Sequence, residues 1–156
     1  FVAAVALLGP AALLGLVLAG PWKETTALLA QLENVYGVVA LLGVVTFAIV
    51  GMLYKIIPFL VWYASYSKQI GRNRVPAVAD MYSPGWQAAG FWLYLAGLGA
   101  LAITTALESE AGVRWSALLL LASLATFAIN LVRILSHLLW PRIEPLVPKM
   151  KLAKTV

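Results

Sequence analysis

The sequence predicts an all-α integral membrane protein with four transmembrane helices and both termini in the cytoplasm. Of its 156 residues, 63% are hydrophobic and only 11% are charged, whereas a soluble domain averages about half apolar and a quarter charged residues. The mean hydropathy is +0.93. Several apolar runs reach the roughly 20 residues that a helix needs to cross the hydrocarbon core. These observations favour membrane helices over the short alternating segments of membrane strands.

The apolar runs define four predicted spans and a tail. The first run ends at Gly20-Pro21 and lacks the basic start of a signal peptide, so we interpret it as a span. Because the chain begins with Phe1, we expect it to be a processed or partial chain. The predicted spans are residues 1–19, 35–66, 86–107 and 115–140, so that residues 1–140 form a transmembrane domain and 141–156 a Pro-rich basic cytoplasmic tail.

The charges of the short loops predict the orientation of the spans. Lys and Arg are enriched in cytoplasmic loops of membrane proteins, and here basic and non-basic loops alternate. Trp and Tyr lie near the predicted span ends, as in an aromatic belt. The basic loops carry Lys68, Arg72 and Arg74, and then Arg142, Lys149, Lys151 and Lys154, while the other loops carry Lys23, Glu24 and Glu33, and then Glu108, Glu110 and Arg114.

Lys55 is a cation inside the second apolar run, some eleven residues from its cytoplasmic end. That run is longer than the bilayer is thick, so the helix must tilt, kink at Pro58 or protrude. In one interpretation the lysine side chain reaches the headgroup region. In the other it pairs with an acid or a cofactor carboxylate from elsewhere, because no acidic residue lies within the predicted spans. We expect Lys55 to contact lipid or a partner.

The last predicted span carries a polar face. Thr126, Asn130, Arg133 and His137 are spaced by four, three and four residues, which places them on one side of a helix. Polar groups within a span usually face a bundle interior, a cavity or another subunit. Asn130 is a candidate for lipid or partner contact, as are Lys68, Arg72 and Arg74 in the basic loop.

His137 and Arg133 are also the candidate cofactor-binding residues. A histidine near a membrane interface is most simply hydrogen-bonded to water or headgroups, and on that interpretation no cofactor is expected. The alternative is axial ligation of a haem or chlorophyll metal by His137, with Arg133 beside an anionic group. The chain has one histidine and no cysteine, which excludes a bis-histidine site, thiolate ligands and disulfides within this chain.

Catalytic patterns are missing from the sequence. It has no paired carboxylates within a span, no Ser-His-Asp set, no phosphate-binding glycine loop and no zinc-protease motif, so we expect no catalysis by the chain alone. The net charge of +5 is explained by the cytoplasmic loops. Anionic phospholipid is therefore the expected partner of the basic residues, and nucleic acid is not.

The segment GMLYKIIPFLVWYASYS, followed by GRNRVPAVADMYSP, resembles a group of bacterial multi-span membrane proteins that are distantly similar to the catalytic subunit of haem–copper oxidases. The matching residues are Gly51, Met52, Tyr54, Lys55 and Pro58, and the resemblance covers residues 34 to 84 and, more loosely, the two following spans. Asn34 and Tyr36 stand where the group commonly has histidines. The resemblance therefore implies a respiratory-type scaffold, degenerate or lacking upstream ligands, without the oxidase metal site.

Three hypotheses of function follow. The first is a non-catalytic subunit that scaffolds a larger, energy-transducing membrane complex, respiratory or photosynthetic, in the bacterial inner membrane. Small residues such as Gly43, Gly51, Ala96, Gly97 and Ala100 would form either internal seams between helices or docking surfaces for other membrane subunits. The second is a haem- or chlorophyll-binding electron-transfer subunit using His137. The third is a small transporter component, although the prolines that break the apolar runs do not occupy corresponding positions of two halves.

Overall fold

The computed structural model of the chain describes residues 2–21, 26–71 and 73–145, with the backbone alone at 144 and 145. Every long element in these ranges is a helix. The helical elements are α1 (Val2–Leu18), α2 (Ala27–Gly37), a π-helical segment (Val38–Val45), α3 (Thr46–Tyr66), α4 (Pro84–Ala106) and α5 (Glu110–Leu139), with short 3-10 turns at Ser67–Gln69 and Val78–Met81. Two-residue strands β1 (Asn73–Arg74) and β2 (Glu144–Pro145) complete the fold.

Three helical stretches are long and apolar enough to cross a membrane, namely Ala27–Gln69, Pro84–Ala106 and Glu110–Leu139. The all-α class and the membrane-length helices are thus confirmed. The element in the first predicted span, α1, has 17 residues and a length of about 25 Å. Most of the tail that begins at residue 141 lies outside the described residues, as does Arg72 of the basic loop.

The helices begin earlier than the apolar runs that predicted them. The second helix begins at Ala27 rather than near residue 35, because the Thr26 side chain accepts a hydrogen bond from the Leu29 backbone at 3.3 Å. Likewise α5 begins at Glu110, where the Ser109 hydroxyl accepts from the Gly112 backbone at 3.2 Å. Hydrophobicity marks the part of a helix suited to lipid, whereas the capping side chain determines where the helix starts.

The prolines that interrupt the first two apolar runs do not end their helices. α1 continues through Pro10 and α3 continues through Pro58. A proline removes one backbone hydrogen bond, but neighbouring helices make this tolerable in membrane helices. The π-helical segment is instead the irregular part of the second helix, and the Tyr94 hydroxyl donates to its Leu42 carbonyl at 2.6 Å.

α4 and α5 form a closely packed antiparallel pair. Gly90, Gly97 and Thr104 recur every seven residues along α4, so they share one face. A Cβ atom at Gly97 would lie 3.1 Å from the Leu120 backbone nitrogen, and one at Gly90 would overlap the Thr126 hydroxyl. Small residues therefore let the two backbones approach, as is common between membrane helices. Gly97 was predicted for this role, whereas Ala96 is exposed.

α1 packs on the π-helical segment, and a first apolar cluster joins α1, α3 and α4 beside it. Ala4, Phe47 and Leu98 are buried there. A Cβ atom at Gly43 would lie 3.2 Å from a Leu7 methyl carbon and 3.4 Å from a Leu98 methyl carbon. Gly43, which the sequence predicted as a packing residue, thus serves contacts within the chain.

A second apolar cluster joins the ends of α3 and α5. Val61, Tyr66, Met81 and Ile134 are buried in it. Beside it, β1 pairs antiparallel with β2, opposing Arg74 to residue 144. The loop after α3 and the segment after α5 therefore lie at the same end of the molecule. At the opposite end, Gln31 of α2 donates to the Glu108 carboxylate of the α4–α5 turn.

The outer faces of the long helices are apolar and exposed. Leu118, Leu121, Leu124 and Val132 of α5 are all more than half exposed. A soluble monomer rarely exposes so large a continuous apolar surface, whereas lipid tails solvate it. The surface therefore agrees with a membrane environment for the long helices.

Candidate functional site

The buried face of α5 is a stripe of polar side chains. Ser116, Ser123, Thr126, Asn130 and His137 are each less than a tenth exposed. Of the described residues, no buried side-chain nitrogen or oxygen lacks a hydrogen-bond partner. Polar groups in an apolar environment are costly unless they are paired. Ser123, Asn130 and His137 therefore bind α5 to neighbouring elements. Ser116 and Thr126 donate to carbonyls of α5 itself.

Asn130 is the most enclosed member of this stripe, with 0% exposure. Its Oδ1 atom accepts from the Ser83 backbone N–H at 3.0 Å, and its Nδ2 donates to the Ser83 carbonyl at 3.2 Å. Nδ2 also donates to the Tyr54 hydroxyl at 3.3 Å. Asn130 thus clamps the residue that precedes α4 and links α3, α4 and α5. A lipid or partner contact at Asn130 would have to displace these bonds.

The clamp places the start of α4 beside Tyr54 and Asn130. Both α3 and α5 continue past that level, α3 by about three turns and α5 by about two and a half, as far as Tyr66 and Leu139. The loop between α3 and α4 lies beyond the start of α4. There the Trp62 indole donates to the Pro76 carbonyl of this loop at 2.8 Å.

His137 lies in this end region and is held by a tyrosine. The Tyr66 hydroxyl is 2.7 Å from His137 Nδ1 and accepts from the Arg142 backbone N–H at 2.9 Å. Tyr66 is fully buried, so its single proton is best placed on the bond to Nδ1. The imidazole proton then lies on Nε2. Ligation of a haem or chlorophyll metal by Nε2 would require the other tautomer, with Tyr66 accepting from Nδ1–H.

We expect Tyr66→Phe to loosen this end of the molecule. The change leaves His137 Nδ1 without its buried partner and the Arg142 N–H without a partly buried one, which costs about 1–3 kcal/mol. Hydrogen–deuterium exchange should accelerate at Arg142 and in the paired strands, and thermal stability in mild detergent should fall. Tyr63→Phe is the matched control because Tyr63 is 61% exposed. Equal exchange in both variants would contradict the role of Tyr66.

The cations predicted from the sequence lie on the outside of the molecule. Lys55, Lys68, Arg74 and Arg133 are exposed, and the ion pair present in the described ranges joins Arg114 to Glu110 at the other end. Arg133 is therefore exposed, unlike Asn130 and His137, although the sequence predicted all three on the same face of the helix. The Arg133 and His137 side chains differ in exposure, and their joint cofactor role stays a prediction.

A cavity of about 540 Å³ lies between α3, α4 and α5. The sequence does not predict this cavity, because its walls come from three helices that meet only in the folded chain. The available signal was the spacing of aromatic residues, seven on α3 (Phe47, Tyr54) and three on α4 (Phe91, Tyr94). No group of three or more metal-ligating side chains occurs among the described residues.

Comparisons of this chain with protein-family models, with curated proteins and with solved structures find no match. The resemblance around Gly51 and Pro58 stays a prediction from those residues.

Proposed function

We propose that this chain is a non-catalytic integral membrane subunit that stabilises a larger, energy-transducing membrane complex. The observation that carries the proposal is a contrast between its buried and exposed polar groups. The polar stripe of α5 is satisfied within the chain, while Lys55 and Arg133 are exposed and make no ion pair with the described residues. Cations in or near a membrane pair with anions, so their partners are lipid phosphates or acidic groups of other subunits.

The proposed topology has four membrane-crossing helices with both termini in the cytoplasm of a bacterial inner membrane. Two features support it. The ends of α3 and α5, which carry the basic loop and Arg142, lie together, as the excess of cations in cytoplasmic loops requires. α1 runs back along the second helix and, at about 25 Å, is a short but usable span.

The position of Lys55 agrees with that topology. α4 has 23 residues and a length of about 35 Å, close to the hydrocarbon thickness of about 30 Å. If α4 spans the bilayer, its start marks the cytoplasmic boundary. Lys55 follows Tyr54 in the chain, and the Tyr54 hydroxyl accepts a hydrogen bond from Asn130 at the start of α4. The lysine can therefore reach the headgroups or an acidic partner at the boundary.

The assignment to an energy-transducing complex rests on the resemblance of residues 51–58 to proteins related to haem–copper oxidases. The absence of a role in catalysis rests on the sequence patterns described above. A haem- or chlorophyll-binding subunit using His137 is the competing function, and the experiment below distinguishes the two.

Native mass spectrometry of the tagged chain, extracted from its source membrane in mild detergent, tests the proposal. We expect co-released membrane subunits or bound anionic phospholipid. Lys55→Gln combined with Arg133→Gln should lower the fraction of the chain that retains these partners about tenfold. A pairing free energy near 1.4 kcal/mol corresponds to that factor.

Arg114→Gln is the matched control, because Arg114 is exposed at the opposite end and pairs with Glu110 within the chain. A stable chain without partners in native-like lipid would contradict the proposal. A haem- or chlorophyll-sized mass on this chain, lost in His137→Ala, would replace it with the electron-transfer function.

A further inference from the structure

The cavity between α3, α4 and α5 opens onto the outer surface, where its lining residues Trp92 and Leu124 are more than half exposed, and it has the size of a small-molecule site. Its volume of about 540 Å³ lies within the range of ligand pockets, about 300–1,000 Å³. None of the side chains that line it is charged. Aromatic rings form much of its wall: Phe47, Tyr54, Phe91, Trp92, Tyr94 and Phe127.

Most hydroxyl groups of the cavity wall are already used by the backbone. Thr46 donates to the Leu41 carbonyl at 3.0 Å, and Ser123 donates to the Gly90 carbonyl at 2.8 Å. Thr126 donates to the Ser123 carbonyl at 2.7 Å. The Tyr94 hydroxyl is likewise bound to the π-helical segment. The O–H donors of these groups are therefore not available to a ligand.

Two polar groups of the wall remain unused among the described residues. The Tyr54 oxygen accepts from Asn130 Nδ2, but its own O–H hydrogen has no acceptor in the described part of the chain. The Gln87 side-chain amide makes no hydrogen bond with any described residue; the Gln87 bond to Ser83 uses the backbone N–H. Both groups lie near the start of α4, so the cavity has one polar end.

Apart from the hydroxyls that donate to backbone carbonyls, the rest of the cavity wall is apolar. Thr46 and Tyr54 bound its extent along the second helix, and eight residues of helix correspond to about 12 Å. Phe47 and Tyr94 pack edge to face at the inner end, with ring centroids 4.9 Å apart. The cavity thus combines a donor-bearing end with an aromatic and aliphatic interior.

We propose that this cavity binds one uncharged, membrane-soluble ring compound that carries a carbonyl group and an apolar tail. Its carbonyl oxygen accepts hydrogen bonds from the Tyr54 hydroxyl and the Gln87 amide, and its ring and tail pack against the aromatic wall. A charged lipid headgroup finds no counter-charge in this wall. An acyl chain fits the apolar interior but uses neither donor, so it explains less of the site.

The test uses the full chain with its co-purifying subunits in phosphatidylcholine nanodiscs. The probe is a benzoquinone with a ten-carbon alkyl tail, and its retention is measured by native mass spectrometry over a concentration series. We expect one equivalent to bind the wild-type chain. Tyr54→Phe should weaken binding about tenfold through the lost hydrogen bond, and Ala88→Trp should abolish binding by filling the cavity that Ala88 lines.

Two matched controls should bind the probe normally. Ala88 and Ala89 are adjacent and both exposed, but only Ala88 lines the cavity, which makes Ala89→Trp the control for bulk. Tyr63→Phe is the control for the loss of a hydroxyl. Tyr54→Phe preserves the ring contact to Phe127, 5.3 Å between centroids, and leaves the Asn130 bonds to Ser83, so the variant should keep its fold.

Binding that Tyr54→Phe and Ala88→Trp leave unchanged would overturn the proposal, as would the absence of probe binding in the wild type. Displacement of the probe by excess dioleoylglycerol at equal affinity would also overturn it, because the site would then be a groove for any acyl chain. Whether partner subunits co-purify does not affect these outcomes, so failure here and failure of the proposed function are separable.

Discussion

Gly90→Val is expected to separate α4 from α5 and to lower the free energy of unfolding by about 2–3 kcal/mol, the upper part of the range for overpacked sites. A Cβ atom at Gly90 would overlap the Thr126 hydroxyl. That hydroxyl is held on the Ser123 carbonyl at 2.7 Å, and Thr is stiff at χ1, so it cannot turn aside without losing its bond. The Ser123 bond to the Gly90 carbonyl, at 2.8 Å, would also be strained.

The measurement is thermal denaturation in mild detergent, together with a titration of denaturing detergent. Gly99→Val is the matched control, because Gly99 lies on the same helix and a Cβ atom there would meet nothing within 4 Å. Both variants carry the same intrinsic change of residue type, so their difference isolates the contact. If Gly90→Val and Gly99→Val melt together, α4 and α5 do not pack at Gly90 as the structure has them.

Asn130→Ala is expected to destabilise the chain by about 2–3 kcal/mol. A single hydrogen bond between membrane helices contributes only about 0.6 kcal/mol on average. Asn130, however, makes three. Its loss leaves the Ser83 N–H unpaired, removes one of the two bonds to the Ser83 carbonyl and opens a cavity. The start of α4 should therefore become more accessible to exchange, beginning at Ser83.

Hydrogen–deuterium exchange of the segment around Ser83 gives the local readout, and thermal denaturation gives the global one. Asn34→Ala is the matched control, because Asn34 is exposed on α2. Unchanged exchange at Ser83 in Asn130→Ala would show that the side chain does not clamp this residue. A loss of stability equal to that of the Asn34 variant would lead to the same conclusion.

The sequence predicted the helices better than it predicted their ends. Apolar runs identify the lipid-compatible part of a helix, but Thr26 and Ser109 begin α2 and α5 in polar sequence before those runs. Composition could not show that the second helix passes through a π-helical segment, or that α1 and α3 continue through Pro10 and Pro58. Tertiary contacts decide whether a lost backbone bond is tolerated.

The polar face of α5 was visible in the sequence, but the partners of its residues were not. The periodicity of Thr126, Asn130 and His137 places them on one side of a helix, and the structure buries all three. Asn130 binds a residue 47 positions away and His137 binds one 71 positions away. Such pairs depend on how helices cross, which a single helix pattern does not encode.

Composition, apolar runs and residue periodicity by themselves determined the all-α class, the membrane-length helices and the polar side of α5, because these depend on local chemistry and on the helical repeat. The tertiary structure alone decided that Asn130 clamps Ser83, that Gly90 sets the separation of α4 and α5, and that three helices leave a cavity with a donor-bearing end. The physical reason is distance along the chain. Close packing brings together backbone groups and side chains whose separation in sequence carries no local signal.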